Sequence, residues 1–145
     1  MAQRNEPVKF AIVPCSGIGK AYGTVSREAA YVVTEDLCPE TTQLVALSRL
    51  VLGDETARAL ISENPAITID GCKLACATKM VRESGGSVLQ DFAVLDVYRR
   101  HKQFKPQGIA ALTEGGLQLA QALAQEVAGV IDAARPAATE GDRDG

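Results

Sequence analysis

Two short apolar runs each open directly into a cysteine-bearing turn. Residues 8–14 read Val-Lys-Phe-Ala-Ile-Val-Pro before Cys15, and Ala66–Asp70 reads Ala-Ile-Thr-Ile-Asp before Gly71-Cys72. Runs of this length, rich in β-branched residues and bounded by Pro and Gly, suit strands buried inside a sheet. Helix-spaced apolar residues follow each run. This alternation predicts a small three-layer α/β domain with a mostly parallel sheet. Right-handed crossovers would bring both turns to one edge. The cysteines would then lie at the C-terminal ends of the strands, where open α/β sheets bind ligands.

The remaining elements are read from the same periodicities. Ile18, Tyr22, Val25, Ala29, Val32 and Val33 predict a first helix ending near Asp36, with Leu37-Cys38-Pro39 turning the chain. Thr41 or Thr42 would cap a second helix through Leu44, Leu47, Leu50 and Val51. Asp54 would cap a third, carrying Ala57, Leu60 and Ile61 and stopped by Asn64-Pro65. A helix is expected over 73–83, a strand over 87–98 with a break near Asp91, and a last helix from Thr113 or Glu114. The domain is expected to span 1–135, with 136–145 a disordered tail.

Composition narrows the function. Fifteen basic against eighteen acidic residues give a net charge of −3, Trp is absent, and aromatics are 4%. This is a poor basis for tracking phosphates or stacking bases, so nucleic acid is not an expected partner. No apolar run reaches membrane-spanning length, and no signal core precedes Val8, so the expected location is the cytoplasm. In a reducing compartment, four cysteines are not expected to form two structural disulfides.

Cys72 and Cys76, four apart, would share one face of a helix. Cys72 at its start would have its thiolate stabilised by backbone N–H groups and the helix dipole. Cys15 holds the equivalent place after the first strand, and Cys38 follows the first helix. Four thiolates suit tetrahedral zinc, and also an iron–sulfur cluster. Two other readings stay open. Cys15 and Cys76 could be small buried hydrophobes. Alternatively, Cys72 could be a nucleophile or persulfide carrier, with Cys76 or Cys15 resolving it.

Asp70-Gly71-Cys72, continued to Cys76, resembles the signature of the DGC-domain family, whose members are described as zinc-binding from their cysteines. Cys15-Ser-Gly-Ile-Gly-Lys20, Arg27-Glu-Ala-Ala-Tyr31 and Cys38 fit the same pattern. The resemblance covers roughly residues 8 to 100. It implies that Cys15, Cys38, Cys72 and Cys76 are the functional cysteines, with zinc as the metal. It implies no reaction.

Other signals are weaker. Gly17-Ile-Gly19-Lys20 fails both the Walker and the dinucleotide spacings, and its glycines are read as a tight turn. Asp70 is read as an N-cap for the amides of 71–73, and Gly71 as permitting a special backbone shape. Lys73 and Lys79 are read as surface charges, as are Arg27 and Glu28. Tyr31 packs or points to the cysteine edge. His101, the one histidine, is a metal ligand or general base on one reading, and a solvated residue in Arg99-Arg-His-Lys102 on the other. The Ala- and Leu-rich last helix packs on the sheet or forms a homodimer contact.

Overall fold

A computed structural model describes residues 9–15, 21–71, 75–104 and 114–134. The expectations placed on Cys72, Lys73, residues 16–20 and the tail lie outside these. Four strands, β1 (Phe10–Pro14), β2 (Thr42–Leu44), β3 (Ala66–Asp70) and β4 (Val88–Ala93), form one sheet in the order β2-β1-β3-β4. Every pairing is parallel.

All five residues of β1 and all five of β3 are buried. Side chains alternate across a strand, so each central strand feeds two cores. Phe10, Ile12, Ile67 and Ile69 face one layer, built from α1 (Ala21–Tyr31), α5 (Val94–Arg100) and α6 (Glu114–Ala134). Ala11, Val13 and Ala66 face the other, built from α2 (Leu47–Val51), α3 (Glu55–Glu63) and α4 (Cys76–Glu83). The expected three-layer α/β architecture is what the chain forms. On α6, Leu119, Ala120, Leu123, Ala124, Val127 and Ile131 make a buried stripe over the first layer. The stripe packs on α1, α5 and the segment 32–37, and shares one core with the strand residues Phe10, Ile12, Ile67 and Ile69.

Two sequence expectations are corrected. Thr42–Leu44 is a strand, so the second helix shrinks to Leu47–Val51. The helical spacing of Leu44, Leu47 and Leu50 is real. However, β1 has backbone groups to satisfy on that side, and they are met by Phe10 N–H to Thr41 O and Val45 N–H to Ile12 O. The long third strand stops at Ala93, and α5 begins at Val94. Val94 and Val97, three apart, are buried, which is helical spacing over that stretch. No break falls at Asp91, which pairs with Thr68. The irregularity sits at Leu89, skipped between the pairs Ala66–Val88 and Ile67–Gln90.

Helix ends follow local chemistry. The Asp54 side chain accepts from Ala57 N–H and starts α3 as expected. α4 ends in a Schellman arrangement: Gly86 N–H reaches Val81 O, Gly85 N–H reaches Arg82 O, and Gly85 has φ +90°. After α1 the chain continues through a π-helical segment, Val32–Leu37. Among the described residues, no helix is long and apolar enough to cross a membrane.

Candidate functional site

β1 and β3 are neighbours in the sheet, while the chain leaves β1 for β2 on the opposite side. This divergence opens a crevice at the carboxyl ends of β1 and β3. Cys15 stands there. It is the residue after β1, its N–H donates to Ile69 O at 2.8 Å, and it is only 5% exposed. The pairing of Pro14 with Ile69 sets Cys15 alongside Asp70.

Asp70, 3% exposed, ends β3 and reaches across to α4. Its Oδ1 accepts from Ala77 N–H at 2.8 Å, and its Oδ2 accepts from the Thr78 hydroxyl at 2.7 Å. Ala77 is the second residue of α4, so Asp70 does the work of an N-cap from a neighbouring strand. Sequence reasoning anticipated a capping role, but for the amides of 71–73. With Thr78 donating to Asp70, the 2.6 Å contact between Thr68 and Thr78 oxygens is a donation from Thr68. A directed chain therefore runs from Thr68 through Thr78 to the carboxylate.

This chain locates Cys76. It is the first residue of α4, exposed, and adjacent to the amide that Asp70 holds. α4 does not extend back toward Cys72, because Ala75 has left-handed dihedrals (φ 54°, ψ 47°). The one-helix-face argument for Cys72 and Cys76 therefore fails, although both remain on the connection leaving β3. Asp70 places Cys76 near the end of β3, and strand pairing places Cys15 beside it.

Gly71 is needed for space rather than for its dihedrals. A Cβ there would stand 2.9 Å from backbone atoms of Tyr22 and Gly23 in α1. Ser26, fully buried, completes that junction by donating its hydroxyl to Cys15 O and Gly23 O.

Cys38 lies elsewhere. It follows the π-helical segment, and its O accepts from the Thr42 hydroxyl at 2.6 Å. Thr42 pairs with Phe10, the first residue of β1, so Cys38 belongs to the amino edge of the sheet. At about 3.3 Å per residue, the length of β1 puts roughly 16 Å between the two edges. The structure does not bring Cys38 together with Cys15. Cys38 instead lines a cavity of about 310 Å³ with Leu37, Pro39, Glu40, Thr41 and Asp132.

His101 is placed by α5 and α6. It follows α5, approaches Glu126 of α6 at 3.8 Å, and stacks on Phe104 with ring centroids 5.7 Å apart. Lys79 is exposed, as expected of a surface charge.

A smaller cleft of about 90 Å³ opens beside Cys15. Pro14 and Cys15 line it from β1, Arg27 and Tyr31 from α1, and Leu44, Ala46, Leu47 and Ser48 from the β2–α2 connection. Arg27 and Tyr31 are four apart and so share one helix face. Sequence reasoning left Arg27 to solvent. The i, i+4 spacing within Arg27-Glu-Ala-Ala-Tyr31 is the signal that these two residues share a face.

The described donors at the carboxyl edge are two thiols, a donor type that zinc takes. Among the described residues no group of three or more His, Cys, Asp or Glu gathers. Cys15 and Cys76 are there, and the third thiol of that edge in sequence, Cys72, is outside the described residues. Asp70 already engages α4 with both oxygens, so its role is to fix the start of α4 rather than to act as a ligand.

No curated protein and no solved structure matches the chain. The family model of the DGC domain matches residues 11–115, well over half of the 145. That span runs from the second residue of β1 into the start of α6 and holds all four cysteines, and the chain belongs to the DGC-domain family.

Proposed function

We propose that this chain binds zinc through the cysteines of the carboxyl edge, Cys15, Cys72 and Cys76. The observation that carries this reading is the hydrogen bond from Cys15 N–H to Ile69 O, which makes the end of β1 a neighbour of the strand leading into Gly71-Cys72. The Asp70–Ala77 bond supports Cys76 as the third ligand. Three thiolates leave a fourth position open, which is the arrangement of zinc sites that exchange a ligand or act on one. Zinc there would supply a Lewis acid to whatever occupies that position. Cys38 is not a ligand on this reading, because it belongs to the amino edge.

Elemental analysis of anaerobically purified protein, beside its visible spectrum, tests this. Wild type and Cys38→Ser should each carry about one zinc per chain, and Cys72→Ser should lose it. Loss of zinc in Cys38→Ser would restore a four-cysteine set. Iron with visible charge-transfer bands would replace zinc by an iron–sulfur cluster. Metal-free wild type would overturn the proposal and leave thiol or persulfide chemistry at Cys72.

A further inference from the structure

Thr68 and Asp70 stand two apart on β3 and so point to the same face of the sheet. Both meet Thr78 of α4 there. Thr68 and Thr78 are buried, with their oxygens 2.6 Å apart, and Thr78 donates onward to Asp70 Oδ2. Valine has nearly the shape of threonine and would fill both positions with no hydroxyl to satisfy. The hydroxyls therefore do something that packing alone does not. The rest of this β3–α4 contact is apolar, with Ala66, Ala77 and Val81 in one core. Apolar contacts are non-directional and leave a short helix free to slide or turn on the sheet. Hydrogen bonds in series fix direction: Thr68 orients Thr78, Thr78 orients the Asp70 carboxylate, and that carboxylate holds Ala77 N–H. Cys76 directly precedes Ala77, so what fixes Ala77 also fixes the backbone that carries the Cys76 thiol. The residue before α4 is Ala75, which has no capping side chain, so the first turn of the helix is anchored from β3.

We propose that Thr78 and Thr68 are positioning residues for the metal centre, holding the start of α4 so that Cys76 meets zinc together with Cys15 and Cys72. This inference rests on the zinc reading above and adds to it two residues that no cysteine spacing points to. Neither is a ligand. Groups that orient metal ligands from behind are worth about 10- to 100-fold in affinity.

Zinc affinity by chelator competition, and the visible spectrum of the cobalt(II)-loaded full-length protein, test this. Thr78→Val keeps the shape and removes the donor to Asp70. It should bind zinc at least about tenfold more weakly and shift the cobalt d–d bands, which report ligand geometry. Thr78→Ser restores the hydroxyl and should match wild type in both. Thr68→Val keeps the Thr78–Asp70 bond and should lose about threefold, in the range of one neutral hydrogen bond. Leu123 lies in the opposite layer, so Leu123→Ala should lose stability yet keep wild-type affinity and spectrum while circular dichroism shows it folded. Wild-type affinity in Thr78→Val would overturn the proposal and leave the zinc reading standing. Should Thr78→Val not fold, wild-type affinity and spectrum in Thr68→Val would overturn it in the same way. Equal losses in Thr78→Ser would assign the effect to packing, and equal losses in Leu123→Ala to general stability, and either would overturn it. Wild type that takes up neither metal would sink the zinc reading itself, and this inference with it.

Discussion

Asp70 shows how one side chain can organise a site without touching a ligand. It is a carboxylate buried between a strand end and a helix start, and both its oxygens accept hydrogen bonds from α4. The helix dipole favours its negative charge at that end. Removing it would strand the Ala77 N–H and leave the Thr68–Thr78 hydroxyl chain without its final acceptor. Asp70→Ala should therefore cost about 3 kcal/mol, within the range for unsatisfied buried groups beside a lost charged bond. Asp70→Asn keeps one carbonyl acceptor for Ala77 and should cost less. Urea denaturation of the two variants orders them, and equal losses would mean that the cap on Ala77 N–H, which Asn retains, contributes nothing beside the carboxylate charge and its second acceptor. Gly71, one residue on, serves the same junction by letting the β3 end approach the α1 backbone. Ala75 lies between Asp70 and the Cys76 thiol in a left-handed conformation that L-residues avoid. Such local strain is common at ligand-holding turns.

At the scale of elements, α3 shows that its cap is also a pH-dependent device. The Asp54 carboxyl is held below its ordinary value of 3.8, first by the Ala57 N–H and then by Arg49, which outweigh the opposing effect of desolvation. Arg49 meets the carboxylate with both Nε and Nη2 at 3.2 Å. A depressed folded-state pKa favours the folded chain above the unfolded value. That contribution is complete above about pH 4 and is lost as pH falls through the lower folded value. Asn caps as well as Asp but carries no charge. Below pH 4, wild type should therefore lose stability more steeply than Asp54→Asn, as read by denaturation midpoints across pH 2 to 6. Parallel curves would show that the ionised cap adds nothing. The two misread elements also belong to this scale. Leu44, Leu47 and Leu50 satisfy a helical period, yet Thr42–Leu44 pairs as a strand because β1 would otherwise present an open edge. Val94 and Val97 satisfy a helical period inside a run rich in strand-forming residues, and there the helix wins.

Across the whole molecule, β1 and β3 are the shared wall of two cores. Leu123 of α6 is fully buried in one layer and Ile61 of α3 in the other. Either side chain cut to Ala should cost about 2–5 kcal/mol. Because the same strands serve both layers, each variant should still unfold in a single transition with one midpoint by fluorescence and circular dichroism. Separate midpoints would mean that the layers are independent. How much of this was legible beforehand follows from the range of each interaction. The buried runs before Cys15 and Cys72, the Asp54 cap and the α6 stripe were readable because strand burial, capping and helical amphipathicity are set within a few neighbouring residues. The sequence alone thus determined an α/β chain with cysteines after its central strands, and carried the motifs of its family. Only the tertiary structure decided strand order, and strand order decides which cysteines are neighbours. It set Cys15 beside Asp70 and the start of α4, carried Cys38 to the opposite edge, and turned Arg27 and Tyr31 onto the Cys15 cleft. Those relations join residues far apart in the chain through backbone pairing and close packing, which no local spacing encodes.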